Sequence, residues 1–104
     1  MSSRSEIFRA KAEAEPNNIL FLFSLGQALA EEESPEEAIS PLEKCVAEKP
    51  EWMAPMILLG KCLLLTDAET AASGILEQAL ELAIKQGHED PEAEIRAMLA
   101  EIQG

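Results

Sequence analysis

The sequence has few of the side chains on which catalysis or metal binding usually depends. Its 104 residues include one histidine, two cysteines and no tyrosine. Two cysteines and one histidine cannot supply four zinc ligands without carboxylates, and no short ligand spacing is present. The histidine, His88, follows Gly87 in a segment that we interpret as a solvated turn. There is no strand followed by a Gly-rich phosphate loop, and no Ser/His/Asp or Cys/His arrangement. We therefore predict a protein that is not an enzyme and has no catalytic residues, metal site or cofactor.

Long hydrophobic runs are also missing. The chain has no charged-then-apolar signal segment at its start, and no uninterrupted apolar run long enough to span a bilayer. Cys45 and Cys62 both lie within apolar helical patterns. We interpret them as buried, reduced thiols rather than as a disulfide. These features predict a cytoplasmic protein.

Basic residues are scarce: 8 against 20 acidic residues give a net charge of −12. Such a surface repels the phosphates of nucleic acids and of anionic membranes, so neither is expected as a partner. It would favour a basic partner. The acidic run EEES at 31–34, with Glu36 and Glu37 beside it, has two readings. It is either a solvated surface that maintains solubility or a docking patch for a basic peptide.

No strand pattern is present, and hydrophobic periodicity with helix start and stop signals predicts six helices. The predicted spans are 4–15, 17 or 18 to about 32, 34–50, 51–65, 66 to about 86, and 90–103. Asn17 or Asn18 is the expected cap of the second helix. Gly87 is the expected end of the fifth.

Two further helix starts are expected to carry capping boxes, one over Ser34–Glu37 and one over Thr66–Glu69. Pro35 suits the first helical position of the third helix. Pro41 lies within that helix, where we expect a local kink or a weakened turn rather than a break.

One phrase recurs after 34 residues: LGQAL at 25–29 returns as LGKCL at 59–63. The same offset relates further pairs of residues. These are Pro16 and Pro50, Leu25 and Leu59, Gly26 and Gly60, Leu29 and Leu63, Ala38 and Ala72, Leu42 and Leu76, and Cys45 and Ala79. Matches at one fixed offset indicate tandem helix–turn–helix units. We expect Gly26 and Gly60 to allow close approach of the second helix of each unit, against the small Ala38 and Ala72.

This pattern resembles the tetratricopeptide repeat (TPR). The large–x2–Leu–Gly–x2–large motif is Leu22-x2-Leu25-Gly26-x2-Leu29 in one unit and Met56-x2-Leu59-Gly60-x2-Leu63 in the next. The Ala–x3–aromatic motif becomes Ala38-x3-Leu42 and Ala72-x3-Leu76. The family's aromatic positions are thus aliphatic here, and Ile84 stands where the second unit's closing proline belongs.

The resemblance implies an all-α, right-handed helical-hairpin repeat with about six helices in a single domain, 1–104. Residues 17–50 and 51–86 are then the two units. Residues 4–15 are a flanking helix with Phe8 at the aromatic position, and 90–103 are a terminal capping helix.

The resemblance also implies a protein-binding groove lined by the first helix of each unit. The predicted contact residues are Leu20, Phe23 and Gln27 in one unit, and Ile57, Lys61 and Leu64 in the other. The family's best-known groove grips a terminal carboxylate with cationic side chains. Only Lys61 is cationic here, so that mode is not expected.

The first helices, 19–30 and 52–65, are apolar on almost every side, which indicates that something covers them on every side. Three coverings stay open: the chain's own end helices, a second copy in a symmetric dimer, or an apolar peptide or helix of another protein. Trp52 could pack between the units or anchor a partner. We predict a protein–protein interaction module, an adaptor or scaffold that binds an apolar peptide or helix. The alternative is a structural homo-oligomer whose groove is filled by itself.

Overall fold

A computed structural model describes residues 3–103, and within that range every secondary-structure element is a helix, with no strand. Six helices follow one another: α1 Arg4–Ala14, α2 Ile19–Glu31, α3 Pro35–Glu48, α4 Met53–Leu65, α5 Glu69–Gln86 and α6 Glu89–Gln103. The prediction of an all-α fold with six helices is confirmed. The bounds differ from the predicted ones by a few residues, mainly at helix starts.

Two of the predicted helix ends have the expected chemistry. The Asn18 side chain caps α2 by accepting a hydrogen bond from the Leu20 N–H, at 3.1 Å. Gly87 follows α5 with a left-handed backbone, at φ 71°, and the His88 N–H donates to the Ala83 carbonyl at 2.9 Å. This is the Schellman arrangement, in which glycine has no Cβ to clash.

Both predicted capping boxes are wrong. The Ser34 side chain makes no capping hydrogen bond. Thr66 belongs to the end of α4, where its hydroxyl donates to the Cys62 and Leu63 carbonyls, and Ala68 takes the cap position of α5. The cause is the geometry of the preceding turn. Glu33 and Asp67, 34 residues apart, are both left-handed, with φ of 62° and 61°.

These left-handed residues close a Schellman turn in each unit. The Ser34 N–H donates to the Leu29 carbonyl at 2.9 Å, and the Ala68 N–H donates to the Leu63 carbonyl at 2.8 Å. Ser34 and Ala68 therefore each close the C-terminal turn of one helix and occupy the N-cap position of the next. The backbone of each is set by the helix that it closes, because the closing bond fixes its N–H.

Helix α3 continues through Pro41, which is buried. As predicted, the proline does not break the helix. Pro41 removes one backbone hydrogen-bond donor from α3. The burial of Leu42 and Cys45 just after it keeps this part of α3 packed against the adjacent helices.

The two glycines of the repeat determine how closely each hairpin packs. A Cβ added at Gly26 would lie 2.7 Å from Leu42 Cδ2, and one added at Gly60 would lie 2.5 Å from Leu76 Cδ2. The predicted close approach is therefore present, but its partner was predicted wrongly. The residue that fills the space over each glycine is the fully buried leucine, not Ala38 or Ala72. Those alanines are buried in the same core.

The hydrophobic core runs along the whole row of helices. Its first part is centred on Leu25, Leu42 and Leu59, and its second on Met56, Leu76 and Ile95. Each helix packs on the next one in the chain, and α2 also contacts α4. Helices α2 and α4 therefore lie side by side in one layer.

Helix α1 is attached to the end of α2 by polar contacts. The Glu32 carboxylate accepts hydrogen bonds from the Ser5 N–H at 2.9 Å and the Ser5 hydroxyl at 2.7 Å, and Arg4 pairs with Glu31. The Ser5 hydroxyl and N–H hold the pKa of Glu32 below its usual range. The carboxylate of the C-cap residue of α2 thus satisfies an N–H in the first turn of α1, which has no partner within its own helix.

Cys45 and Cys62 are both free and buried, as predicted. Burial raises the pKa of the Cys45 thiol to about 11 and also raises that of Cys62. Neither thiol is activated, because a reactive cysteine needs a lowered pKa and access to solvent.

Substitutions of two helical glycines should have opposite effects on stability. Gly60→Ala places a methyl group against Leu76, so we expect the free energy of unfolding to fall by about 1–2 kcal/mol in spite of alanine's better helix propensity. Gly74→Ala is the control, because a Cβ there meets nothing within 4 Å. It should raise stability by about 0.5–1 kcal/mol. Urea denaturation measures both. A stabilised Gly60→Ala would refute the close approach.

Stability should fall at alkaline pH because of the buried thiols. The folded pKa of Cys45 lies above its ordinary value of 9.0, so the unfolded chain loses this proton first as the pH rises. The free energy of unfolding should therefore decrease between about pH 9 and pH 11. Cys45→Ala, which introduces the residue found at the equivalent Ala79, should lessen this decrease. Urea denaturation at each pH measures the free energy of unfolding. If it has the same pH dependence in both proteins, the Cys45 thiol is not the cause of the decrease.

Candidate protein-binding site

Helices α2 and α4 present one continuous face to solvent, which we call the α2–α4 face. On α2 it comprises Leu20, Phe23, Gln27 and Glu31, and on α4 it comprises Ala54, Ile57, Lys61 and Leu65. These positions are three or four residues apart, and such residues lie on one side of a helix. The α2–α4 face contains five of the six residues predicted to line a groove.

The predicted residues differ in how far they are exposed. Leu20 is 61% exposed and Lys61 is also exposed, whereas Gln27 and Ile57 are half-buried. Leu64 is half-buried and packs against both parts of the core. The chain's own packing thus covers part of the apolar surface that the sequence suggested would be open.

Phe23 and Trp52 join the two units at one end of the α2–α4 face. Their ring centroids are 4.8 Å apart and their planes are tilted by 55°. Trp52 occupies the N-cap position of α4. This tilted arrangement is the one that aromatic pairs prefer, and it stabilises beyond the area that it buries. The tryptophan packs between the units and also forms part of the adjacent surface.

Lys61 is paired with Glu94 of α6, with 3.7 Å between the ammonium nitrogen and the carboxylate oxygen. Both side chains are about half exposed, so the pair contributes little to stability. It shows instead that α6 lies beside α4 and supplies a carboxylate to the α2–α4 face. The one cation predicted to line the groove is partly neutralised.

Sequence reasoning missed Leu65, which is 71% exposed. It is the last residue of α4 and lies four residues after Lys61, on the same side of the helix. The same spacing admits Leu64, the residue predicted for the groove, which packs against both parts of the core.

A cleft of about 560 Å³ adjoins Leu20, between the start of α2 and the turn from α3 to α4. It is lined by Ile19, Leu20, Glu48, Lys49, Pro50, Glu51 and Trp52. A second cleft adjoins it and shares Ile19, Leu20 and Lys49. The apolar walls with a polar rim suit a partner's side chain.

Within residues 3–103 no group of three His, Cys, Asp or Glu side chains is placed to hold a metal ion. In the same part of the chain no helix is both long and apolar enough to cross a lipid bilayer.

Neither a family model nor a curated protein sequence matches the chain. Solved structures do. PcrH from Pseudomonas aeruginosa is 20% identical, with a TM-score of 0.84 over 96% of this chain and 76% of that one. The type III secretion translocator chaperone SycD of Yersinia enterocolitica is 19% identical, with a TM-score of 0.87 over 95% and 69%.

The TPR2B domain of yeast Sti1, in a complex with pHsp70, is 16% identical, with a TM-score of 0.84 over 95% of this chain and 79% of that one. PcrH has also been solved in complex with the chaperone binding region of PopD. At these identities the similarity defines the fold. The chain has a divergent TPR-like helical-repeat fold, and the resemblance recognised in the sequence is confirmed.

Truncating Phe23 should loosen the junction between the units. Phe23→Ala removes the ring that packs on Trp52, and we expect a loss of about 1–3 kcal/mol, because Phe23 is only half-buried. Trp52 is the only tryptophan, so its fluorescence reports the site directly. Its emission should shift to the red in the folded variant. Unchanged emission and unchanged stability would show that the rings do not pack in solution.

Proposed function

We propose that this protein is a non-catalytic protein-binding module that holds an apolar segment of a partner against the α2–α4 face. The observation that carries the proposal is the exposure of two large apolar side chains on one face, Leu20 near the start of α2 and Leu65 at the end of α4. The aromatic pair and the cleft beside Leu20 extend this apolar surface.

Covering the two exposed leucines supplies binding free energy. Fully burying a leucine side chain stabilises by about 1.5–3 kcal/mol, so covering the exposed parts of Leu20 and Leu65 provides about 1–2 kcal/mol at each. Together the two contacts provide about 2–4 kcal/mol, which corresponds at best to millimolar, reversible binding. The half-buried residues around Leu20 and Leu65 then act mainly by excluding water from these two contacts.

The solved structures support binding of this general kind. PcrH is seen with a region of PopD, and the TPR2B domain of Sti1 with pHsp70. We infer that the present chain likewise takes a protein or peptide. We place its action in the cytoplasm, where its two buried thiols remain reduced.

Charged substitutions of the two exposed leucines should weaken binding without unfolding the protein. Peptides selected from a displayed library of random sequences provide the probe. Leu20→Glu and Leu65→Glu should each weaken their binding by at least about tenfold, while stability stays within about 0.5 kcal/mol of the parent. Ile84→Glu is the matched control, because Ile84 is 52% exposed but lies on α5. It should bind as the parent does.

The result that contradicts the proposal is equal binding by all three variants, or loss of binding in Ile84→Glu alone. Light scattering over a hundredfold dilution series accompanies the assay. A monomer leaves the α2–α4 face free for a partner. A dimer that Leu20→Glu dissociates would show that a second copy covers this face instead.

A further inference from the structure

We propose that the segment bound at the α2–α4 face is basic: beside each apolar side chain that contacts Leu20 or Leu65 it carries lysine or arginine. This inference rests on the proposed function and specifies its partner. Its basis is the distribution of acidic side chains around the two exposed leucines.

Acidic side chains surround Leu20. Glu48 and Glu51 line the same cleft as Leu20, and Glu15 lines the cleft next to it. In the described part of the chain, none of these three carboxylates lies within ion-pair distance of a lysine or arginine. Lys49 is the one cation that lines these two clefts. The rim of the Leu20 cleft is therefore net negative.

The surroundings of Leu65 have the same character. Asp67 lies two residues after it, in the turn to α5, and Glu69 is the first residue of α5. The preceding unit places Glu33 at the position equivalent to Asp67, in the turn from α2 to α3. Among the described residues no basic side chain pairs with any of these three carboxylates. Both exposed leucines thus have free carboxylates beside them.

Internal contacts account for three further acidic side chains at that end. Glu31 pairs with Arg4, Glu37 pairs with Arg9, and Glu32 binds Ser5. Glu69 has a structural reason too, since it lies in the first turn of α5, where a negative charge complements the helix dipole. Glu33 has no such reason. Its left-handed backbone favours glycine or asparagine, and its carboxylate makes no ion pair within the described residues.

Charge complementarity favours a basic segment over the other possible occupants of the α2–α4 face. A second copy would carry its own net charge of −12 and bring the same acidic rims to the interface, where like charges repel. An acidic peptide would meet the same repulsion. A segment with apolar and basic side chains satisfies both the exposed leucines and the carboxylates around them.

The spacing of the two leucines sets the length of the segment. Leu20 lies near the start of α2 and Leu65 at the end of α4, and each helix has 13 residues. From the second to the last position of such a helix is about 17 Å at a rise of 1.5 Å per residue, and neighbouring helices lie about 10 Å apart, so the two side chains are about 20 Å apart. An extended segment covers this distance in about six residues.

The test begins with the random peptide library used above, selected on the full chain at low salt, about 50 mM. We expect the selected peptides to combine apolar residues with an excess of lysine and arginine. Replacing those basic residues by glutamine in a synthetic selected peptide should weaken binding by about tenfold. The difference should shrink at about 500 mM salt, because exposed charges are screened.

Two double variants show which carboxylates cause the preference for basic peptides. Glu51→Gln with Asp67→Asn removes one carboxylate beside each leucine, and asparagine suits the left-handed backbone of Asp67. This variant should lose much of the preference for the basic peptide over its glutamine version. Glu77→Gln with Glu81→Gln changes the net charge equally on α5 and should keep the preference.

The outcomes separate the two proposals. Peptides that need Leu20 and Leu65 but show no excess of basic residues would overturn this inference and leave the proposed function intact. An equal loss of preference in both double variants would also overturn it, because only net charge would then matter. If no selected peptide is sensitive to Leu20→Glu or Leu65→Glu, the proposed function itself fails and this inference with it.

Discussion

The packing of a leucine directly over a glycine, made once in each unit, is the contact on which the arrangement of the helices depends. Leu42 lies over Gly26 and Leu76 over Gly60, so closely that no side chain could replace either glycine hydrogen without displacement. Because the contact recurs 34 residues later, both hairpins have the same geometry. The first helices of the two units then fall into one layer, and one side of each faces solvent.

Contacts between the units preserve that layer. Phe23 packs on Trp52 across the junction, and α6 continues the row beyond the second hairpin by burying Ile95 against it. The Lys61–Glu94 pair lies where α6 runs alongside α4. The α2–α4 face therefore consists of packed helix surfaces, and turn residues join it only at its two ends. A partner that binds such a surface need not order it first, which lowers the entropic cost of association.

The repeat and the helices could be predicted from sequence because they depend on spacing, which a sequence displays directly. The 34-residue offset, the prolines and glycines at helix ends, and the apolar periodicity all refer to neighbours along the chain. Predictions that required a side chain's direction were less accurate. The capping boxes at Ser34 and Thr66 satisfied the motif, but left-handed turns at Glu33 and Asp67 had already fixed the backbone.

The candidate site shows the same limit. Leu64 and Leu65 are adjacent, equally apolar and both near Lys61, yet one packs into the core and the other is exposed. Only the rotation of α4 against α5 distinguishes them. The partner of Gly60 was misassigned for a similar reason, since Ala72 and Leu76 lie on one side of α5 and sequence does not say which of them meets the glycine.

The most direct measurement of the central claim is methyl NMR of the protein titrated with a peptide selected for binding. The account predicts that the methyl signals of Leu20, Ile57 and Leu65 shift on binding, while those of Ile84 on α5 stay in place. Shifts confined to α3 and α5, with Leu20 and Leu65 unmoved, would contradict the assignment of the α2–α4 face as the binding surface.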